Sequence, residues 1–482
     1  MTTQPLPLTA PPPRRMTGGL PLLVPARASR LGSLLGAGSL FGLAAGSVLI
    51  VLMAAARASA FTPTANGHYF PTWMAGPLRE LLPGMTFNTE QLMWQLSWLM
   101  IAMYVLYVLA FTNAHRVRAR WVIGALVTVH LAFFLAPPLQ FTDVFNYINY
   151  GRMGVLHHLN PYTVPPFLEP HNDPAFPLSN WHHLLSPYGP AFTLFTYALV
   201  PLGVAASFWA IKLALALASL GTLMLVWRCA GLLGRSRRAA IAFVGLNPIF
   251  LVWGLGADHN DTLMLFFVVL AVYLFLRSPA APRAAGAWLM VAIFFKASAA
   301  ILLPVFLAAG NRRGFIRGAV LGGLVLSLVS VIFFGPHVPG LGTQSKLVTG
   351  VGVPNLIGLA LGQGGETETL HLVIDLVLVS VVGACTLAVM RGRMHWLTAG
   401  AIVLAALTMS LSWAVPWYVD WVLPFAALAP ARRVRGAVVV LGAYFLLAFM
   451  PAGYLLNREL NFKPQGTSLG AAHRLEIEAL LR

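Results

Sequence analysis

Apolar runs long enough to cross a bilayer recur from one end of this 482-residue chain to the other, separated by short polar clusters. A helix needs about 20 consecutive apolar residues to span the hydrocarbon core. Only helices and closed barrels satisfy their own backbone there. The pattern predicts eleven crossings, at 31–56, 91–111, 121–138, 204–232, 239–256, 262–277, 318–335, 370–390, 395–411, 414–429 and 435–453. Residues 190–203 are apolar but too short to cross, and read as a half-helix leading into the fourth span. One stretch resists a simple crossing. Residues 284–310 are long enough, yet Arg277 and Arg283 precede them and Arg312, Arg313 and Arg317 follow. The stretch therefore reads as two short helices that dip in and return, with Lys296 near the tip.

Composition narrows the class. The chain is 58% hydrophobic and 9% charged, with a mean hydropathy of +0.77, whereas soluble domains carry about 25% charged residues. It reads as an all-α polytopic membrane protein with one integral-membrane domain over 31–453. A disordered Pro-rich leader occupies 1–30, and a tail over 454–482 ends in the amphipathic stretch AAHRLEIEALLR. Ala58, Ser59 and Ala60 resemble a cleavage site, but the run before them is about twice a signal-peptide core, so an uncleaved anchor is expected. The two cysteines, Cys229 and Cys385, fall inside predicted helices and support neither a disulfide framework nor a zinc site.

A net charge of +17 suggests nucleic acid until its distribution is followed. With the N-terminus cytoplasmic, the inner segments hold 21 of the 31 basic side chains and none of the 14 acids. Lys/Arg bias alone would set the orientation. The one-sided placement of the acids adds that carboxylates are needed outside, so the working face is expected to be exoplasmic. Four segments build it: the loop 139–190, the turn GLGADHND at 254–261, the loop 336–368 and the turn SWAVPWYVDW at 412–421.

Asp143 opens the amphipathic segment 141–158, FTDVFNYINYGR and onward. Helical spacing puts Tyr147, Tyr150 and Gly151 on its side, with Met153 and Val155 toward lipid. A carboxylate at the mouth of a greasy helix suits a general base, but Thr142 or Asp143 would equally cap the helix that follows. The loop then carries His157, His158, His171, His182 and His183 beside Glu169 and Asp173. Adjacent histidines point apart, so hydrogen bonding within an ordered loop is expected rather than a metal site. Asp258, His259, Asn260 and Asp261 stand at a helix start, where backbone N–H groups welcome a phosphate; capping is expected to account for one of them. Lys296 needs an anionic partner if it points into protein, and a lipid phosphate would serve. Trp413, Trp417, Tyr418 and Trp421 form either an interfacial belt or a sugar-stacking face.

Five segments in order, DVFNYINYGRMGVLHHLNPY at 143–162, SPYGPAF at 186–192, ADHNDTLM at 257–264, FFKASAAILLP at 294–304 and PWYVDWVLP at 416–424, resemble the GT-C superfamily of polytopic glycosyltransferases. Within it, the chain looks most like the bacterial polyprenol-phosphate-mannose-dependent α-(1→6)-mannosyltransferases. Many GT-C enzymes carry the catalytic acid after the first span, whereas here it follows the third; the mannosyltransferase group similarly places two hydrophobic segments ahead of its catalytic loop. The resemblance implies that Asp143 deprotonates the acceptor, inverting a β-linked sugar phosphate to an α-linked product. Arg152, His259 and Lys296 are then the candidates for holding the donor phosphate. Tyr147, Asn160, Tyr162 and Tyr188 are the sugar-binding candidates in the loop; Asn260, Asp261, Trp417 and Tyr418 are those in the two turns. No cofactor is expected. The expected partners are a polyprenyl-phosphate sugar, a glycan or glycolipid acceptor and membrane lipid. Two alternatives stay open, a related enzyme using arabinose, glucose or galactose and a lipid transporter without bond chemistry.

Overall fold

The computed structural model describes residues 26–55, 64–65, 68–69, 71–78, 81, 89–278, 282–344, 347–461 and 469. Among them the secondary structure is helical apart from two paired dipeptides, Thr64–Ala65 and His68–Tyr69. Residues 58–60 and the amphipathic stretch 471–482 lie outside the described residues, as does the leader before residue 26. The first helix begins at Ala26, so the final leader residues are helical rather than disordered.

In chain order the helices are α1 (Ala26–Ala55), α2 (Thr89–Asn113), α3 (Ala119–Leu135), α4 (Asp143–Leu156), α5 (Pro190–Leu199) and α6 (Gly203–Leu232). Next come α7 (Arg237–Gly245), α8 (Asp261–Arg277), α9 (Arg283–Phe295), α10 (Leu303–Ala309), α11 (Arg312–Phe334) and α12 (Leu341–Gln344). The last six are α13 (Val353–Ala360), α14 (Glu368–Met390), α15 (Trp396–Ser410), α16 (Leu423–Leu428), α17 (Arg432–Phe449) and α18 (Pro451–Glu459). Among the described residues, five apolar stretches are long enough to cross a membrane: Arg30–Ala55, Glu90–Arg116, Pro190–Leu232, Arg312–Phe334 and Glu368–Met390. The α17–α18 pair, bent by 60°, is long and apolar enough for a sixth when its two helices are taken together as one broken span. Side chains such as Leu324, Leu328, Leu372 and Leu376 point outward from α11 and α14, an apolar surface that only lipid tolerates. The chain is an all-α polytopic membrane protein.

Two expected spans are broken instead of continuous. Proline lacks the N–H a helix interior needs. Near Pro248, α7 stops at Gly245 and the chain resumes as a π turn, Phe250–Leu255. Pro416 and Pro424 divide the span expected at 414–429 into a 3-10 turn, Pro416–Trp421, and the short α16. Both irregular segments are wholly buried, as backbone freed from regular bonding must be at membrane depth. The half-helix expected at 190–203 is present as α5 and a 3-10 turn ahead of α6.

The stretch after Arg283 turns back. An ideal Cβ on Gly318 would meet Arg283 O, and one on Gly322 would meet Ala287 Cα, so α9 and α11 run parallel. The chain between them must therefore reverse. It does so at Lys296, whose extended backbone (φ −154°, ψ 123°) ends α9, and it returns through α10 to Gly310, packed against Phe275 at the foot of α8. Elsewhere, Gly36, Gly42 and Gly46 let α1 lie close along α2.

These packings sort the charges. Arg238 donates to Val117 O, and Arg235 and Arg435 both donate to Ala429 O, gathering the basic loops at one end. The buried acids Glu169, Asp173, Asp258, Asp261, Glu366 and Asp420 belong to the other end, with Asp143.

Candidate functional site

Pro137 and Pro138 follow α3, and the chain re-enters helix at Asp143. Neither candidate cap is one. The Thr142 side chain makes no capping bond, and Asp143 is already the first helical residue, so its carboxylate is free to face the interior. Asp143 is 16% exposed; Tyr188 OH lies 3.4 Å from its Oδ1 and His259 Nε2 lies 3.5 Å from its Oδ2. His259 Nδ1 sits 2.5 Å from the Trp253 carbonyl, an acceptor, which assigns the proton to Nδ1; Nε2 faces Asp143 without a hydrogen-bond partner among the described residues. The imidazole is stacked on Trp417 with ring centres 3.5 Å apart and cannot swing away.

The turn before α8 is likewise not a set of caps. Asn260 occupies the capping position but makes no side-chain capping bond. Both its amide atoms are buried without a hydrogen-bond partner among the described residues. Asp258, in the left-handed region at φ 59°, pairs with buried Lys212 at 3.1 Å. Asp261 accepts from Lys296 Nζ at 2.8 Å on both oxygens and from Trp421 Nε1 at 2.6 Å. The anionic partner expected for Lys296 is thus a carboxylate of the protein. Its ammonium also lies over the faces of Tyr418 and Trp421, 5.0 and 5.5 Å from the ring centres.

Together these groups line a narrow slot of about 40 Å³. Nine of the predicted residues meet there: Asp143, Tyr147, Tyr188, His259, Asn260, Asp261, Lys296, Trp417 and Tyr418. Tyr150, Trp181, Leu184, Pro187, Leu347 and Trp413 complete the walls. The slot shares Pro187, Lys296, Trp413 and Tyr418 with a wider cleft of about 310 Å³, walled by Leu378, Leu407 and Leu411 from α14 and α15. His371 and Asp375 stand on the cleft's rim, and His371 is anchored by buried Glu366 at 2.9 Å. Close backbone approach fixes the junction. Gly189 N donates to Phe295 O at 3.1 Å, and a Cβ at Gly189 would clash with Phe294 O.

Three predicted residues stand elsewhere. Arg152 is engaged by Asp173 at 2.8 Å, a bond that orders the loop rather than a ligand. Asn160 turns the chain by accepting from Tyr162 N and donating to Phe334 O, and Tyr162 OH donates to Tyr188 O behind the slot wall. Met153, expected toward lipid, is fully buried because the loop and α6 close over α4. The loop histidines serve the loop: His157 joins Arg152 on Asp173, while His171 and His182 stack on Phe176. Burial would raise the Asp173 carboxyl, but Arg152, the Ala175 N–H and His157 outweigh it and hold it below the usual range. Burial pushes Glu169 up to about 7 despite a hydrogen bond from Asn149. Among the described residues no three His, Cys, Asp or Glu side chains converge as metal ligands.

Asp420, in PWYVDWVLP, drew no role from sequence, and it lies buried against Gly254 with Oδ1 lacking a hydrogen-bond partner among the described residues. Glu366 and His371 were also missed. Only the general excess of acids on one face pointed to them, since their contact with Ser412 spans about 40 residues of chain.

The family described as "Alpha-(1->6)-mannopyranosyltransferase, N-terminal domain" matches residues 39–312, and "MptB C-terminal domain" matches residues 348–472. Alpha-(1->6)-mannopyranosyltransferase A of Mycobacterium tuberculosis is 28% identical over 358 residues, 66% of this chain and 67% of the relative. A Mycolicibacterium smegmatis relative is 26% identical over 410 residues, covering 73% and 72%. Alpha-(1->6)-mannopyranosyltransferase B of Corynebacterium glutamicum is 25% identical over 376 residues, covering 67% and 61%. No solved structure matches the chain.

Proposed function

The chain belongs to the α-(1→6)-mannopyranosyltransferase family, and on that premise we propose that it moves mannose from a polyprenyl-phosphate donor to a glycan or glycolipid acceptor, with inversion. It is a hexosyltransferase of the mannosyltransferase kind. The observation that carries the donor class is the continuity of the slot with the cleft. A carboxylate and an ammonium share one polar slot, and that slot opens into an apolar cleft beside the lipid-facing helix α14. A sugar phosphate on a prenyl chain has the same division of polar head and apolar tail.

In the proposed reaction Asp143 takes the proton of an acceptor hydroxyl, whose oxygen attacks C1 of the mannose. The C1–O bond to phosphate breaks, its electron pair leaves with the lipid monophosphate, and the product is α-linked. Charge building on the leaving phosphate is met by Lys296, whose ammonium has three donors and shares them with Asp261. His259 stands beside Asp143 with its ring fixed by the Trp253 carbonyl and the Trp417 face. The unsatisfied Asn260 amide is placed to bind a sugar hydroxyl, and Trp413 and Trp181 offer ring faces or edges to the sugar. Arg152 has no part in this scheme. The reaction is proposed to need no metal or other cofactor.

Segregation of arginines to the far end supports an exoplasmic site, a cytoplasmic N-terminus and residence in the plasma membrane. The proposal includes a GT-C arrangement of eleven crossings, the returning pair at 284–310 being extra. The test is a donor screen with the purified protein in lipid and a mannose oligosaccharide acceptor. Polyprenyl-phosphate mannose should yield an α-(1→6) product and free prenyl phosphate, equally with and without chelator. Transfer from a nucleotide-mannose instead, or a product formed without prenyl phosphate release, would overturn the reading.

A further inference from the structure

A further cavity lies at the arginine-rich end, away from the slot. It has a volume of about 800 Å³. Its walls come from α2, α7, α16 and α17, so it joins the segments that match the two family descriptions. One side is apolar, with Phe111, Phe243 and Val439; the other carries His115 and the guanidinium groups of Arg235, Arg432 and Arg435.

The cations are under-compensated. Arg235 Nη1 and Arg435 Nη1 both donate to the single carbonyl of Ala429, the latter at 3.1 Å. One neutral oxygen cannot offset two full positive charges. No carboxylate pairs with Arg235, Arg432 or Arg435 among the described residues, and Arg235 Nε is buried there without a hydrogen-bond partner. Two helices also begin at this cavity, α7 after Ser236 and α17 at Arg432, and their positive dipole ends add to the same field.

We propose that this cavity binds the phosphoryl headgroup of an anionic membrane phospholipid, with the acyl chains along its apolar side. Arginine is suited to such recognition because its planar fork offers paired donors to phosphate. A free anion would have no use for the Phe111–Phe243 wall, and that wall favours lipid. The inference does not depend on the transferase reading; bound lipid would tie the two halves of the protein together at the end away from chemistry.

The test uses the full-length protein in neutral detergent and follows its thermal midpoint on adding phosphatidylglycerol, phosphatidylcholine or inorganic phosphate. Phosphatidylglycerol alone should raise the midpoint. Arg235→Gln with Arg435→Gln should weaken its apparent affinity by about 30-fold, from the usual contribution of each arginine to binding an anionic headgroup. Arg313→Gln, at the same end but outside the cavity, should leave the response intact. Because the double variant removes both donors to Ala429 O and risks misfolding, Gly436→Phe gives an independent result. A Cβ at Gly436 meets no heavy atom within 4 Å, so the ring fills the cavity with every arginine in place. It should abolish the response. A response retained in both variants would overturn the proposal, and so would an equal shift of the unaltered protein by inorganic phosphate.

Discussion

Lys296 Nζ lies 2.8 Å from both carboxylate oxygens of Asp261, so the cation at the slot is already half committed to a buried acid. Removing one member of a buried pair strands the other's charge, at about 3–5 kcal/mol. Lys296→Met should therefore destabilise the protein by that order and abolish transfer. Adding Asp261→Asn should restore most of the stability and none of the activity. Thermal midpoints and transfer rates on the two variants check both halves. Full stability in the single variant would show that the pair is not buried as described.

Asp143 carries the opposite expectation. Among the described residues it is paired with no lysine or arginine, it caps no helix, and it is partly open to the slot. Asp143→Asn should leave the thermal midpoint nearly unchanged while transfer falls by about 10²-fold or more, as expected for loss of a general base. Turnover close to that of the unaltered enzyme would remove Asp143 from that role.

Gly189 tests the scaffold. Its would-be Cβ meets backbone, which cannot rotate away, so Gly189→Ala must push α5 from the end of α9. Overpacking of this kind costs about 1–3 kcal/mol. Transfer should drop more than stability does, because the end of α9 against which Gly189 packs carries Lys296. Activity and thermal unfolding measured on the same preparation separate the two effects.

Glu169 makes stability depend on pH. Its folded-state value is pushed up from 4.5 to about 7 by burial, so between those values the folded chain holds a proton that the unfolded chain has lost. Stability is full below 4.5 and falls as pH rises through 7. Glu169→Gln, which cannot ionise, should flatten that fall. Parallel slopes of thermal midpoint against pH in the two proteins would rule the residue out as its source.

Much of this was legible from residues alone, for reasons that differ by element. The reversal at Lys296 followed from charge, because arginines on both flanks of 284–310 cannot face opposite sides. Asp143, His259 and the aromatic turn were found because polar groups against an apolar background stand out. The partners were not legible. Nothing in FFKASAAILLP says that Lys296 meets Asp261, 35 residues earlier, because that contact depends on how α8 and α9 pack. Arg152 was misjudged for the same reason: its neighbour in space is Asp173, across a folded loop. The broken spans at Pro248 and Pro416 read as continuous because hydropathy averages over the breaks.

The reversal between Arg283 and Arg312 also bears on biogenesis. A segment that enters and leaves by the same side does not change the parity of the crossings. Excising 284–310 should leave a reporter fused after α11 on its original side of the membrane, although the protein would no longer carry its slot ammonium. Insertion of the C-terminal half is thus uncoupled from the element that holds Lys296, and that element is free to vary in length without inverting the rest.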